Sequence, residues 1–367
     1  MAQTLHQTPL SAPLPPGATI GILGGGQLGR MLALAAARLG LRTHTFGPCA
    51  EDPAGQVSHA HTRAAYDDMD ALARFGAACD AITYEWESIP VDAVETAGVH
   101  TPVAPGVRAL QTAQDRLLEK EFLSDLPGVS VAPFQAASGS FHALQRAVRY
   151  VGLPCVVKTR RGGYDGKGQA VARTEDDLAE IWDALGSYEL IVEGFVRFSR
   201  EASVVCARGR DGAIAAYPLT ENVHRDHILH TSTAPATPSV HGGDDATPGR
   251  IAATIVEALD YVGVIGVELF DTPDGWIVNE IAPRVHNSGH WTQDGGCTDQ
   301  FEQHIRAVAG WPLGNPAPAW PVRMTNLIGE DVSDWRTLAS DPANRLHLYG
   351  KDEIRPGRKM GHVNRRI

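Results

Sequence analysis

The sequence predicts an α/β half followed by an α+β half, on three observations. From Ala18 to about Leu110, short β-type runs alternate with helical stretches. After Gln111 the strand-like runs follow one another with few helices between them, and VIGVELFDTPDGWIVNEIA reads as a hairpin turning through Asp271 to Gly275. A βαβ rhythm calls for a parallel sheet with its ligand edge at the strand C-termini, whereas strands joined by turns are antiparallel.

Composition limits what such a chain does. With 367 residues, 43% of them hydrophobic, it buries a sizeable core and divides into two or three domains. A net charge of −11 argues against general nucleic-acid or anionic-membrane binding, but leaves room for a local basic pocket that takes a phosphorylated metabolite. Cys49, Cys79, Cys155, Cys206 and Cys297 show no C-x-x-C spacing and read as reduced thiols, so the expected compartment is the cytoplasm. No apolar run approaches the ~20 residues of a membrane span. The opening MAQTLHQTPLSAPLPPG lacks a basic and an apolar region, and residues 1–18 are expected to be a disordered tail.

The first domain opens on TIGILG, then GGGQLGRMLALAAARLG, RTHTF and DAITYE. Gly24, Gly26 and Gly29 fit G-x-G-x-x-G between a strand and a helix, a setting in which backbone N–H groups hold an anion. A nicotinamide site would add an acid at the end of the second strand, about 20 residues on. That strand ends in Thr45-Phe46-Gly47-Pro48, with Glu51 and Asp52 only beyond the proline. A tight βα turn without any cofactor accounts for the glycines equally well.

A charged helix, AQDRLLEKEFL, leads into the second half. There LPCVVKTRRGGYDGKGQAVAR reads as strand, glycine-rich loop, strand. Lys167 is followed by Gly168 rather than Ser or Thr, so this is not a P-loop. It is a basic hairpin tip behind Lys158, suited to closing over polyphosphate, though a solvated basic hairpin would look the same. Further β runs are YELIVEGF, EASVVCARGR, AIAAYPLTENVH and ILHTSTA, and Arg250 to Tyr261 is helical. If the final hairpin pairs symmetrically about Asp274, Glu268 and Glu280 lie opposite each other, and carboxylates ~5 Å apart repel unless they share a cation. That points to Mg²⁺ with a nucleotide. PRVHNSGHWTQDGG then gathers Arg284, His286, Asn287, Ser288 and His290 where a second anion fits; Asn-Ser-Gly between the two histidines disfavours a zinc-binding helix.

Taken together, KTRRGGYDGKGQ, IVEGFV with Glu201, VELF and NEIAPRVHNSGHWT resemble the ATP-grasp ligases. GGGQLGRML and RPGRKMGH narrow the resemblance to the (carboxyamino)imidazole ribonucleotide synthases, over about Thr19 to Asn364. The resemblance implies a Rossmann-like preATP-grasp domain at 19–110, an ATP-grasp domain at 111–310 with a small lid at about 150–205, and a small C-terminal domain at 311–367. It implies ATP at Arg116, Lys158, Gly163, Tyr164, Asp165, Gly166, Lys167, Gly168, Gln169, Glu193, Gly194, Phe195, Val196, Glu201, His224, Asn279 and Glu280. One or two Mg²⁺ ions would sit on Glu268 and Glu280. Bicarbonate and the carboxyphosphate made from it would fall to Arg284, His286 and Asn287. The 5-aminoimidazole ribonucleotide would meet Gly26, Gln27, Leu28, Glu85, Tyr164, Asp165, Lys351 and Arg358, with Lys351 also catalytic. The resemblance further implies a homodimer, and a C-terminus several tens of residues longer than one ending at Ile367. An ATP-grasp ligase with another acceptor, formylating or biotin carboxylase-like, and a nucleotide-binding regulator without turnover are the alternatives. PRVHNSGHWT and RPGRKMGH speak against the first, and the presence of Lys158, Glu268 and Glu280 against the second.

Overall fold

In the computed structural model, residues 10–163, 166–242 and 244–367 are described. The expected βαβ rhythm is there: β1 (Thr19–Leu23), β2 (Arg42–Gly47), β3 (Ala60–Arg63) and β4 (Ala81–Tyr84) form a parallel sheet in the order β3-β2-β1-β4. Only β3, a short half-exposed AHTR, escapes the sequence pattern. Helix α1 (Gln27–Arg38) buries Leu28, Met31, Leu32, Ala35 and Ala36, the 3.6-residue stripe that fixes it on the sheet. α2 (Met69–Ala77) starts at Asp68, whose carboxylate caps the Ala71 amide. α3 (Val91–Ala97) and α4 (Val107–Ala113) complete this unit. Because Leu23 pairs with Tyr84, the chain leaves β1 and β4 with Gly24 and Glu85 side by side.

After α5 (Arg116–Ser124) comes a four-stranded antiparallel sheet: β5 (Phe134–Ala136), β6 (Cys155–Thr159), β7 (Gln169–Ala172) and β8 (Leu190–Gly194), ordered β5-β8-β6-β7. α6 (Phe141–Val151) and α7 (Asp177–Leu185) pack on it. This small unit therefore starts before residue 150 and ends before 205. The strand expected to close it, β9 (Arg200–Arg208), belongs to the large sheet instead, where six consecutive residues, Ala202 to Ala207, are buried. A strand covered on both faces reads as a continuous apolar run, and EASVVCARGR is one.

Among the described residues the large sheet has nine strands. To β9 it adds β10 (Ile214–Ala216), β11 (Thr220–Arg225) and β12 (Ile228–Ala234), then, after α8 (Thr247–Ala258), β13 (Gly263–Thr272) and β14 (Gly275–Ala282). Past α9 (Gln300–Val308), β15 (Val322–Ile328), β16 (Asn344–Leu348) and β17 (Lys359–Arg366) extend the same sheet beyond β12. Residues 311–367 thus share a sheet with the domain before them rather than building one of their own.

One apolar cluster joins the first sheet to the large one, running from Ile20 and Leu32 through Val205 and Phe301 to Met324. Within that seam His304 accepts from the Val264 amide at Nδ1 (3.0 Å), which leaves Nε2 to donate to Thr83 Oγ1 (2.7 Å). Burial drives its pKa down to about 3, so it is held neutral. The expected disordered tail does not extend through residues 10–18. Residues 1–9 lie outside the described ones, but Leu14 is buried, its amide donates to the Ala309 carbonyl (2.9 Å) and its carbonyl accepts from Trp311 Nε1 (2.7 Å).

Candidate active site

The β13–β14 hairpin sets the geometry. Its turn is two residues, Pro273-Asp274, so Thr272 pairs with Gly275 and Leu269 with Val278. Continued unchanged, that register would place Glu268 opposite Asn279; a β-bulge intervenes, and Glu268 pairs with Glu280. The symmetry about Asp274 expected from the sequence therefore fails at the turn and is restored by one extra residue. In a regular strand Asn279 and Glu280 would point to opposite faces, whereas across the bulge both line the same cavity.

Both carboxylates are partnered. Glu280 Oε2 accepts from Arg116 Nη1 (2.9 Å), and Glu268 Oε1 lies 3.2 Å from His286 Nε2. His286 Nδ1 faces Ser288, accepting from its amide (3.4 Å), which leaves the proton on Nε2, toward Glu268. Burial alone would raise the Glu268 pKa; the His286 contact and the charges of His286 and His224 reverse this and hold it below the usual carboxylate range. Two carboxylates and an amide oxygen are hard donors of the kind Mg²⁺ takes, so the residues present fit that ion. Among the described residues no group of three or more His, Cys, Asp or Glu is placed to hold a metal, so an ion here would draw its remaining ligands from phosphate or water.

The β6–β7 hairpin faces this pair. Lys158, near the end of β6, donates to Glu193 Oε2 (3.0 Å), which Lys120 also approaches (3.4 Å). Burial favours a protonated Glu193, but the two lysines outweigh it and keep the pKa at about 2. Gly166 has φ +78°, and a Cβ there would come 2.5 Å from His227. Gly168, with φ +71°, packs on Thr159 and does not line the cavity. Tyr164 and Asp165 lie outside the described residues.

The main cavity, about 530 Å³, is walled by three parts of the chain. Gly26, Gln27, Leu28 and Glu85 come from the first sheet; Gly163, Gly166, Lys167 and Gln169 from the hairpin loop; Arg116, Glu201, His224, Arg284, His286 and Asn287 from the large sheet and its flanks. A second cavity of about 180 Å³ shares Lys158, Gln169, Glu201 and Asn279 with it. Its walls are Glu193, Gly194, Phe195 and Val196 with Val156, Ile277 and Val278, and Phe198 stacks on Phe270 at 4.5 Å beside it. Its apolar side, formed by Val156, Phe195, Phe198, Phe270 and Ile277, suits a flat base. At its mouth Glu201 Oε2 and His224 Nδ1 are 2.5 Å apart. Burial would lower the His224 pKa, but Glu201 raises it.

The glycine loop does hold an anion, and it belongs to the protein: the Gly26 and Gly29 amides donate to the buried Glu85 carboxylate, Gly29 at 2.5 Å. Asp52 is pressed against the same loop, so close that a Cβ on Gly25 would lie 2.1 Å from its Oδ2. Arg284 is forked by Glu87, with Nη2 3.0 Å from Oε1. Asn287 exchanges two amide hydrogen bonds with Asn326 (2.8 and 3.0 Å).

Lys351 and Arg358 lie outside the cavity lining. Lys351 Nζ donates to the Lys359 carbonyl (2.7 Å) and Arg358 Nη1 to that of Glu353 (2.8 Å). Burial, then the nearby Arg358, lowers the Lys351 pKa to about 8. The basic residue of this segment that reaches the cavity is Lys359. Sequence reasoning also passed over Glu87, His227, Glu119 and Lys120. For Glu119 and Lys120 a signal existed, since they follow Arg116 at i+3 and i+4 on a helix.

Family comparisons divide the chain in the same order. Residues 17–114 match the ribonucleotide synthetase preATP-grasp domain, 122–301 the ATP-grasp domain, and 323–366 the phosphoribosylaminoimidazole carboxylase C-terminal domain. The N5-carboxyaminoimidazole ribonucleotide synthase of Brucella melitensis is 48% identical over 96% of this chain and 97% of its own length. The Staphylococcus aureus N5-carboxyaminoimidazole synthetase complexed with ADP superposes with a TM-score of 0.91 at 38% identity, covering 97% of this chain and 94% of that one. The Aspergillus clavatus N5-carboxyaminoimidazole synthase, in complex with ADP and 5-aminoimidazole ribonucleotide, gives 0.88 at 30% identity, over 96% and 94%.

Proposed function

We propose, on the premise that this chain belongs to the N5-carboxyaminoimidazole ribonucleotide synthase family, that it carboxylates 5-aminoimidazole ribonucleotide with bicarbonate at the expense of ATP, releasing ADP and phosphate in purine biosynthesis. The observation that carries this reading is the pair of joined cavities: a slot for the base at one end, the glycine loop of the first sheet at the other, and the register-matched Glu268 and Glu280 between them. A ligase that joins three substrates needs such a continuous chamber.

Each residue then has a task. Phe195 and Val196 hold the base, Glu201 and His224 the ribose, and Lys158 with the hairpin loop the phosphates. Mg²⁺ on Glu268 and Glu280 would neutralise charge on the triphosphate. Arg284, His286 and Asn287 hold bicarbonate beside the terminal phosphoryl group, where its attack yields carboxyphosphate. Glu87 and Asn326 fix the angles of Arg284 and Asn287, so little reorganisation accompanies the reaction. The hairpin loop against His227 keeps water from the labile intermediate. The amine of the ribonucleotide, placed by Gln27, Leu28 and Lys359 on the cavity wall, takes the carboxyl group. We read the enzyme as a cytoplasmic homodimer.

ADP release measured with and without the ribonucleotide, at varied bicarbonate, tests this. Release at the full rate should need both. Ribonucleotide-dependent release that ignores bicarbonate would overturn the assignment.

A further inference from the structure

β14 is the edge strand of the large sheet, so its outward backbone groups need partners other than a neighbouring strand. The bulge makes this acute, because two of its residues oppose one on β13 and the ladder is interrupted there. α5 covers this stretch. Asp115 caps it, accepting from the Leu117 amide (3.0 Å), and Arg116, Glu119 and Lys120 then fall on one face at i, i+3 and i+4. Arg116 reaches the Glu280 carboxylate, Glu119 Oε1 accepts from the Ile281 amide (2.6 Å), and Lys120 Nζ donates to the Asn279 carbonyl (2.6 Å). The backbone on either side of Glu280 is therefore tied to one helical face.

Glu119 is 2% exposed and lines neither cavity. We propose that Glu119 is a positioning residue: by accepting the Ile281 amide it holds the bulge in the form that turns both Asn279 and Glu280 into the cleft, and thereby sets the spacing of Glu280 and Glu268 for a divalent cation bound with a nucleoside triphosphate. The proposal rests on the reading of those two carboxylates as metal ligands. The same helix also meets the small sheet, through the Arg116–Gly163 carbonyl bond (3.1 Å), the Asp115–Arg160 pair (2.6 Å) and the Lys120–Glu193 contact. The hairpin loop and the metal carboxylates thus share one support.

Two conservative variants separate reach from the carboxyl group itself. Glu119→Gln keeps the length and an acceptor oxygen; Glu119→Asp keeps the carboxyl group but ends one methylene short of the amide. Binding of Mn²⁺ together with a non-hydrolysable ATP analogue, followed by electron paramagnetic resonance, should weaken about tenfold in Glu119→Asp, the usual scale for a residue that orients a metal ligand, and stay within about twofold in Glu119→Gln. In steady state, kcat of Glu119→Asp should recover at saturating Mg²⁺ while its half-saturating Mg²⁺ rises. Unchanged Mn²⁺ binding in Glu119→Asp, or equal weakening in both variants, overturns the role of Glu119 alone. Absence of Mn²⁺–analogue binding in the unaltered protein would overturn the metal reading beneath it. Should Glu119→Asp not fold, amide exchange at Ile281 in the unaltered protein decides: protection matching the β13–β14 ladder supports the bond, and exchange as fast as a free edge amide refutes it.

Discussion

Replacing Glu193 by Gln isolates the electrostatics of the nucleotide slot. The carboxylate is buried, 4% exposed, between Lys158 at 3.0 Å and Lys120 at 3.4 Å, and its Oε1 has no partner among the described residues. Its pKa, lowered from 4.5 to about 2, is a measure of what the charged form contributes. Removing one partner from a buried pair costs about 3 kcal/mol at the low end. Because the folded-state pKa is the lower one, that stability is present above pH 4.5 and is lost as the pH falls through 2. Glu193→Gln should therefore destabilise the small sheet by about 3 kcal/mol at pH 6, and the gap should narrow by about 2 kcal/mol by pH 3. A chain of several domains has no single unfolding midpoint, so the assay is native-state hydrogen exchange of β6 and β8 amides in both proteins. A gap below about 1 kcal/mol at pH 6, or one that does not change with pH, would show that the lysines are not balanced by this carboxylate.

Glu280→Gln keeps size but removes one charge from the proposed metal pair. Turnover should fall by several orders of magnitude with urea unfolding unchanged, and near-normal activity would remove the carboxylates from the metal. Lys359→Ala should raise the Michaelis constant for 5-aminoimidazole ribonucleotide roughly tenfold and leave that for ATP within about twofold; equal weakening of both would point to loss of the C-terminal strands instead. His304 is neutral in the fold with a pKa near 3. Since its folded pKa is the lower one and the residue is a base, the unfolded chain gains a proton below pH 6.5 that the native state refuses, and stability falls with pH. His304→Gln lacks that liability, so its stability deficit against the unaltered protein should shrink by about 1 kcal/mol between pH 7 and pH 5.5; a constant deficit would mean that His304 titrates normally.

How much of this was legible in the sequence depends on how local the cause is. The strands of the parallel first sheet, the glycine loop and the hairpin each follow from a pattern that is local in the sequence, and the strand ends fell close to where those patterns put them. The lid boundary did not. EASVVCARGR is a strand by any local reading, but which sheet takes it depends on β11 and β13, tens of residues away. Leu14 likewise sits in a proline-bearing stretch that looks like a tail, and only its bonds to Ala309 and Trp311 show that it docks. The family resemblance pointed to Arg358, but Arg358 lies before β17 and bonds to the Glu353 carbonyl, whereas Lys359, the strand's first residue, reaches the cavity.

The carboxylate pair shows how a correct placement can rest on an incorrect geometry. Counting symmetrically about Asp274 pairs Glu268 with Glu280, and that pair exists, but the turn centres half a residue earlier and the bulge supplies the difference. A bulge leaves no mark on hydrophobic alternation except a single slip. Here it lies at Asn279 and Glu280, two half-buried residues in succession between the buried Val278 and Ile281. That slip is what a hairpin needs to present an amide and a carboxylate to one side. A regular strand of the same composition would set Asn279 opposite Glu268 and turn Glu280 to the other face, so the departure from regularity is where the site is built, and the helix that pins it, with Arg116, Glu119 and Lys120 on one face, is as much a part of the site as the carboxylates themselves.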